Sequence, residues 1–173
     1  LSINDKTAFD VYVEYATSKG EKGVIGIEVK YTEEGYSVGN KEFSMMRDSQ
    51  SAYSVTTRDS GCFLNNDPMQ FNNPDFIQLW RNHILGLAML QQDKADYFDS
   101  LTLYPASNLH FHSSGNHMGT IAAYEELLTD KGKSTFHGIT YECFFNILRD
   151  HYQSARNISW LDYLDTRYIN KHH

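Results

Sequence analysis

The sequence predicts an α/β or α+β fold in which a β-hairpin is overlaid by helices, and three observations carry that reading. Residues 8–15, AFDVYVEY, alternate with the period of two that marks a strand. Residues 24–31, VIGIEVKY, are a second β-prone run, and the polar, glycine-punctuated TSKGEKG between them predicts an antiparallel hairpin. Residues 75–92, DFIQLWRNHILGLAMLQQ, read as a helix whose second half is apolar nearly all round, so it belongs against a sheet in the interior.

In the first strand Phe9, Val11, Val13 and Tyr15 fall on one face, with Asp10, Tyr12 and Glu14 on the other. From 33 to 73 the chain is rich in Ser, Asn, Asp and Gly and shows no sustained period. It reads as a long loop, interrupted by a short strand at AYSVTT (52–57). A loop of that length in a compact domain signals either function or poor order. The central helix has a start signal, with Asn73 at the cap, Pro74 at the first helical position and Asp75 in the first turn. DSLTLYP (99–105) reads as a strand stopped by Pro105, and helices follow at 118–129, 141–154 and 159–168. There is no internal repeat and no second boundary, so residues 1–173 are expected to be a single domain. The chain opens at Leu1 rather than Met, and the expectation is that an N-terminal segment is missing.

Composition narrows the function classes. With 15 Lys and Arg against 22 Asp and Glu, the net charge of −7 gives no global basic footprint. Nucleic-acid binding would have to rest on a local site or on clusters such as Lys131 and Lys133. Cys62 and Cys143 have no CxxC or Cys/His spacing and read as free thiols in a reducing cytoplasm. The longest apolar run, ILGLAML (84–90), is far short of the ~20 residues of a membrane span. A cytoplasmic protein is expected.

GVIGIEVKYTE (23–33) raises a sharper question, because Glu28 and Lys30 lie on one face of a run that should be buried. In an antiparallel hairpin the numbers of facing residues sum to a constant, and a loop centred near Lys19 or Gly20 sets that sum at about 38 to 40. Either even sum puts Asp10, Tyr12 and Glu14 on the face of Glu28 and Lys30. Two carboxylates ~5 Å apart repel by about 3 kcal/mol at an effective dielectric of 20. Lys30 offsets part of that, and a divalent cation would offset more. Carboxylate oxygens on a rigid scaffold suit Mg²⁺, whose octahedron waters and a phosphate would complete.

Asp10 followed on the paired strand by Glu28-Val29-Lys30 resembles the D…(D/E)xK core of the PD-(D/E)XK nucleases, which share the restriction-endonuclease-like fold. More narrowly, AFDVYVEY…GVIGIEVKYTE, QLWRNHILGLAML, LTLYPASN and WLDYLDTRY together are similar to a bacterial family of restriction-endonuclease-like proteins within that superfamily. The short motif alone is weak, and the hairpin and following helix give it specificity. The resemblance implies a mixed sheet with a β-hairpin core flanked by helices, and a metal-dependent endonuclease, a restriction or defence enzyme, that hydrolyses DNA phosphodiesters. It implies that Asp10, Glu28 and the Val29 carbonyl hold Mg²⁺ (or Mn²⁺), and that Lys30 orients or activates the attacking water. Related nucleases place a QxxxY motif on the next helix; Gln78 matches its Gln, whereas Asn82 stands where the Tyr would be. The implied partner is double-stranded DNA, with a homodimer as a further expectation. Phe9 replaces the Pro of the superfamily's name, and no helix bearing an acidic ligand precedes Asp10.

The competing readings are plainer. Asp10, Glu28 and Lys30 could be a solvated strand face with cross-strand ion pairs, and the domain a catalytically inactive nuclease-like binding module. HFHSSGNH offers His110, His112 and His117 but lacks the spacing of a zinc hydrolase, and Arg81 and His83 on the central helix read as internally satisfied groups. There is no GxSxG elbow and no phosphate-binding glycine loop.

Overall fold

The computed structural model describes residues 8–32, 35, 37 and 39–169. Strands β1 (Val11–Ala16) and β2 (Lys22–Val29) form the antiparallel hairpin. Two further strands, β3 (Tyr97–Tyr104) and β4 (Phe136–Thr140), add in parallel, so the four-stranded mixed sheet runs β1-β2-β3-β4. The helices are α1 (Asn40–Arg47), α2 (Ala52–Asp59), α3 (Ile77–Gln91), α4 (Thr120–Glu125), α5 (Asp130–Lys133), α6 (Tyr141–His151) and α7 (Ala155–Tyr168). This is the mixed α/β architecture of a restriction-endonuclease-like fold.

Strand parity sorts the core into layers. Val24 pairs with Phe98, and Ser100 with Phe136, so these residues share a face. Val24 and Phe98 pack there with Met89 and Leu90 of α3, while Phe136 joins the main core around Trp80, Tyr53 and Phe71. The alternate residues Ile27, Leu101, Leu103 and Ile139 turn the other way onto Tyr141, Phe145 and Leu161 of α6 and α7. Helices therefore lie on both faces of the sheet. Among the described residues no helix is long and apolar enough to cross a membrane.

The hairpin register is the smaller of the two expected, with Val11 opposite Ile27 and Tyr12 opposite Gly26. The apolar side chains of β1 are not covered. All six β1 residues are exposed, including Val11, Val13 and Tyr15. Phe9 precedes the strand and escapes its alternation. Its ring packs 6.0 Å from that of Phe98 on the α3 side, close against Gly26.

The stretch read as a long loop with a strand at 52–57 instead carries α1 and α2, apart from residues 33, 34, 36 and 38, which lie outside the described residues. Local propensity misled because Tyr53, Val55, Thr56 and Thr57 favour strands in isolation. Tertiary contacts decide otherwise. Tyr53 and Thr57 are fully buried, the Trp80 indole N–H donates to Thr57 Oγ1 at 3.1 Å, and Ser51 caps α2 by accepting from the Ser54 amide. At the central helix, Asn73 caps an entry turn rather than the helix. Its Oδ1 accepts from the Asp75 amide, its carbonyl accepts from those of Phe76 and Ile77, and α3 begins at Ile77, beyond Pro74. The span 118–129 contains only the short α4, and Thr129 caps the separate α5 through the Gly132 amide. Strand β4 was not foreseen. FHGIT is too short to show a period, and its Gly138 is required because a β-carbon there would lie 2.3 Å from Ile121.

Two expectations follow from the core. A β-carbon on Gly86 would lie 1.9 Å from the Phe98 ring, so α3 and β3 approach as only glycine permits. Gly86→Ala is therefore expected to lose about 1–3 kcal/mol in urea unfolding, opposite in sign to the ~1 kcal/mol that alanine gains in an unobstructed helix. His83 is fully buried, with Nδ1 3.2 Å from Tyr124 Oη and Nε2 2.9 Å from Thr135 Oγ1. Burial, with a smaller contribution from His137, pushes its pKa from the ordinary 6.5 down to about 3. The folded imidazole is neutral while the unfolded one takes a proton below 6.5. Its contribution is thus fully present above pH 6.5 and declines by about 1.4 kcal/mol per pH unit as pH falls toward 3. Between pH 7 and 5 the urea midpoint of the protein should therefore fall more steeply than that of His83→Gln, which lacks the titrating imidazole.

Candidate active site

The C-terminal end of β2 delivers the site. Past Val29 the strand continues its parallel ladder for one more bond, from the Lys30 amide to the Leu103 carbonyl at 2.7 Å. Tyr141 Oη donates to the Lys30 carbonyl at 2.6 Å from the α6 side. These bonds fix the backbone that carries Glu28 and Lys30 on one face.

Both side chains are buried, Glu28 at 5 % exposure and Lys30 at 6 %. A buried pair of this kind requires good geometry and additional hydrogen bonds to offset its desolvation, and α3 supplies them. Lys30 Nζ lies 2.7 Å from Glu28 Oε1 and 2.6 Å from Gln78 Oε1. The Gln78 amide also donates to Glu28 Oε1, and Asn82 Nδ2 donates to Glu28 Oε2 at 2.8 Å. Gln78 and Asn82 are four apart, one helical turn, so both face the strand end.

Asp10, the residue before β1, closes the other side. Its Oδ2 accepts from the Val29 amide at 2.8 Å, and it lines the same pocket of about 290 Å³ as Glu28, Val29, Lys30, Asp75 and Gln78. The hairpin register alone would place Asp10 opposite Glu28. The N–H and C=O of one strand residue point to the same side, so the Val29 carbonyl is directed toward Asp10 as well. All five expected site residues therefore border one cavity.

Asn82, at the tyrosine position of the QxxxY motif, supports Glu28. Asp75, known from sequence only as a first-turn residue, brings a third carboxylate to the pocket, and its Oδ1 lies 3.6 Å from His110 Nε2. Neither role shows a period or spacing in the sequence. The acid-to-amide spacing would be meaningful only once Gln78 was known to face Glu28.

The donor set fits a hard divalent cation. Asp10, Glu28 and Asp75 oppose the single ammonium of Lys30, leaving the pocket lining net negative, and the first two present oxygen ligands from adjacent strands. Among the described residues only one oxygen of Asp10 is engaged by a hydrogen bond. Groups of three or more His, Cys, Asp or Glu arranged for a metal are absent among the described residues. A cation held there would need its remaining ligands from water, the Val29 carbonyl or a substrate phosphate.

A family model described as the PD-(D/E)XK nuclease superfamily matches residues 2–170. The chain belongs to that superfamily. No curated protein and no solved structure matches it. As a PD-(D/E)XK protein it departs from the named motif at Phe9, whose ring fills the space over Gly26 and contacts Phe98.

Among the described residues the other candidates assemble no metal site. His117 Nε2 bonds the Leu109 carbonyl at 2.7 Å, and His110 lies 3.3 Å from Thr120 Oγ1, so the loop histidines do not converge on a common ion. Arg81 pairs with Glu42 at 3.6 Å. Cys62 and Cys143 are free thiols, the first buried and the second exposed.

The amide support of Glu28 can be tested without activity. Asn82→Leu removes the donor to a buried carboxylate oxygen and is expected to cost about 1–3 kcal/mol of stability in urea unfolding. A change within experimental error would show that Oε2 is solvated.

Proposed function

We propose that this PD-(D/E)XK protein is a Mg²⁺-dependent endonuclease that hydrolyses phosphodiester bonds of double-stranded DNA, in a restriction or defence role. The observation that carries this reading is the meeting of Asp10, Glu28 and Lys30 at one pocket, with Gln78 bridging Glu28 and Lys30. A solvated strand face with surface ion pairs would leave Glu28 and Lys30 exposed, and they are not.

Asp10, Glu28 and the Val29 carbonyl would hold the cation. When bound, it supplies Lewis-acid polarisation of the scissile phosphate. The chain's own groups do the rest. Lys30 has three N–H donors, of which Glu28 and Gln78 engage two. The remaining one can hold the attacking water or a phosphate oxygen. Gln78 accepts from the ammonium and donates to the carboxylate, which fixes both in one rotamer. Asn82 restrains Oε2 and so keeps Oε1 toward the pocket. Because Lys30 already partners Glu28, the ammonium is positioned beside the ligand oxygens before substrate arrives.

Plasmid cleavage in Mg²⁺ tests the reading. Asp10→Asn and Lys30→Ala are each expected to reduce the rate at least ~100-fold. Lys30→Ala should still bind Mn²⁺ in calorimetry, whereas Asp10→Asn should bind it at least ~10-fold more weakly. Cleavage that survives loss of Lys30 would reject its assigned role. Absence of both cleavage and metal binding in the unaltered protein would reject the nuclease reading and favour the binding-module alternative.

A further inference from the structure

We propose that the aromatic cavity between the end of β2 and helices α6 and α7 takes one unstacked nucleobase of the nucleic acid whose phosphate meets Glu28 and Lys30 on the other side of the same strand. The choice of occupant rests on the nuclease reading; the cavity itself does not. Its volume is about 350 Å³, the size of a small-ligand site. Among the described residues Tyr31, Tyr141, Phe144, Phe145 and Tyr168 supply five rings to its lining, Val29 and two leucines complete it, and no charged residue contributes.

Val29 borders both this cavity and the acidic pocket. Strand alternation sends Glu28 and Lys30 toward α3 and turns Val29 and Tyr31 toward α6 and α7. The Val29 amide is tied to Asp10, while its side chain, on the opposite face from Glu28, belongs to the wall of the aromatic cavity. Tyr141 lines that cavity too, and its hydroxyl donates to the Lys30 carbonyl at 2.6 Å. A strand rises about 3.3 Å per residue, so a phosphate beside Glu28 and a ring beside Val29 are neighbours on the scale of one nucleotide.

The lining selects which part of the substrate enters. A phosphate would lose its hydration there without gaining a partner of opposite charge, which excludes the backbone. A nucleobase is flat and uncharged, and aromatic side chains bind any base through its π face. The rings are braced before an occupant arrives. Tyr31 and Tyr168 meet edge-to-face with centroids 5.6 Å apart, and Tyr141 stacks with Phe145 at 6.0 Å, so little further ordering is needed on binding. Membership of a nuclease superfamily implies a nucleic-acid substrate, which brings a base to the cavity mouth whenever a phosphate occupies the neighbouring pocket. The base must leave its stack to enter, and an unpaired base does so at least cost.

Two duplexes isolate the base, one with a single bulged adenine and one with an abasic residue in the bulge, each bound to the full chain in Ca²⁺. The bulged adenine should bind at least ~5-fold more tightly, the lower end of what one base–aromatic stack contributes. Leu164→Trp fills the cavity and Phe144→Leu removes a ring, both at half-buried positions. Each variant should keep the Mn²⁺ affinity and far-ultraviolet circular dichroism of the unaltered chain and bind the two duplexes equally. With 5-iodouracil in the bulge, the unaltered chain should photo-cross-link at Tyr31, Phe144 or Tyr168, a readout that decides even where a variant fails to fold. Equal affinities in the unaltered chain, no binding of either duplex, a preference that both variants keep, or cross-links only outside the cavity would each overturn the proposal. Plasmid cleavage alongside any of these leaves the nuclease reading standing. A preference that both variants abolish, in a chain that cleaves nothing, rejects that reading and keeps the base site.

Discussion

The buried carboxylate of Glu28 is the constraint around which the site is organised. An ionised carboxylate at 5 % exposure is unstable in a protein interior without partners. Its oxygens receive an ammonium and two amides, from Lys30, Gln78 and Asn82, and removing one partner from such a buried charge pair typically costs about 3–5 kcal/mol. The same bonds tie the end of β2 to one face of α3. What stabilises the charge also sets the orientation of the helix over the sheet.

The rest of the architecture can be understood as making that contact possible. Gly86 lets α3 descend onto Phe98, bringing the first turns of the helix to the strand end. His83, on the same helix, is locked between Tyr124 and Thr135, which fixes the rotation of α3 about its axis. On the opposite face, Tyr141 reaches from α6 to the Lys30 carbonyl, so both helical layers hold the one short segment that carries Glu28 and Lys30. At the pocket, Asp10 and Asp75 leave the lining net negative despite the Lys30 ammonium beside Glu28.

The open edge of β1 contrasts with this. The same hairpin that supplies Asp10 ends the sheet with a strand exposed on both faces, although its composition suits burial. The period of two in AFDVYVEY identifies a strand without identifying what covers either face. Phe9 shows the limit of periodicity at a strand end, since it leaves the alternation and packs on the side of Phe98.

The sequence by itself determined the hairpin, its even register and hence the shared side of Glu28 and Lys30, because strand alternation is a local property of the backbone. It determined the central helix for the same reason, and the match to a family pattern pointed to Gln78. Only the tertiary structure decided that Asn82 would complete the cage around Glu28, that Asp75 would border the pocket, and that residues 52–57 would be helical. Each of these depends on which surface a segment meets. A β-branched, hydroxyl-rich run such as AYSVTT has no strong preference of its own, and the burial of Tyr53 and Thr57 beneath Trp80 outweighs it. An amide on a helix becomes a ligand's support only when packing turns that face toward a buried charge, and such packing has no signature along the chain.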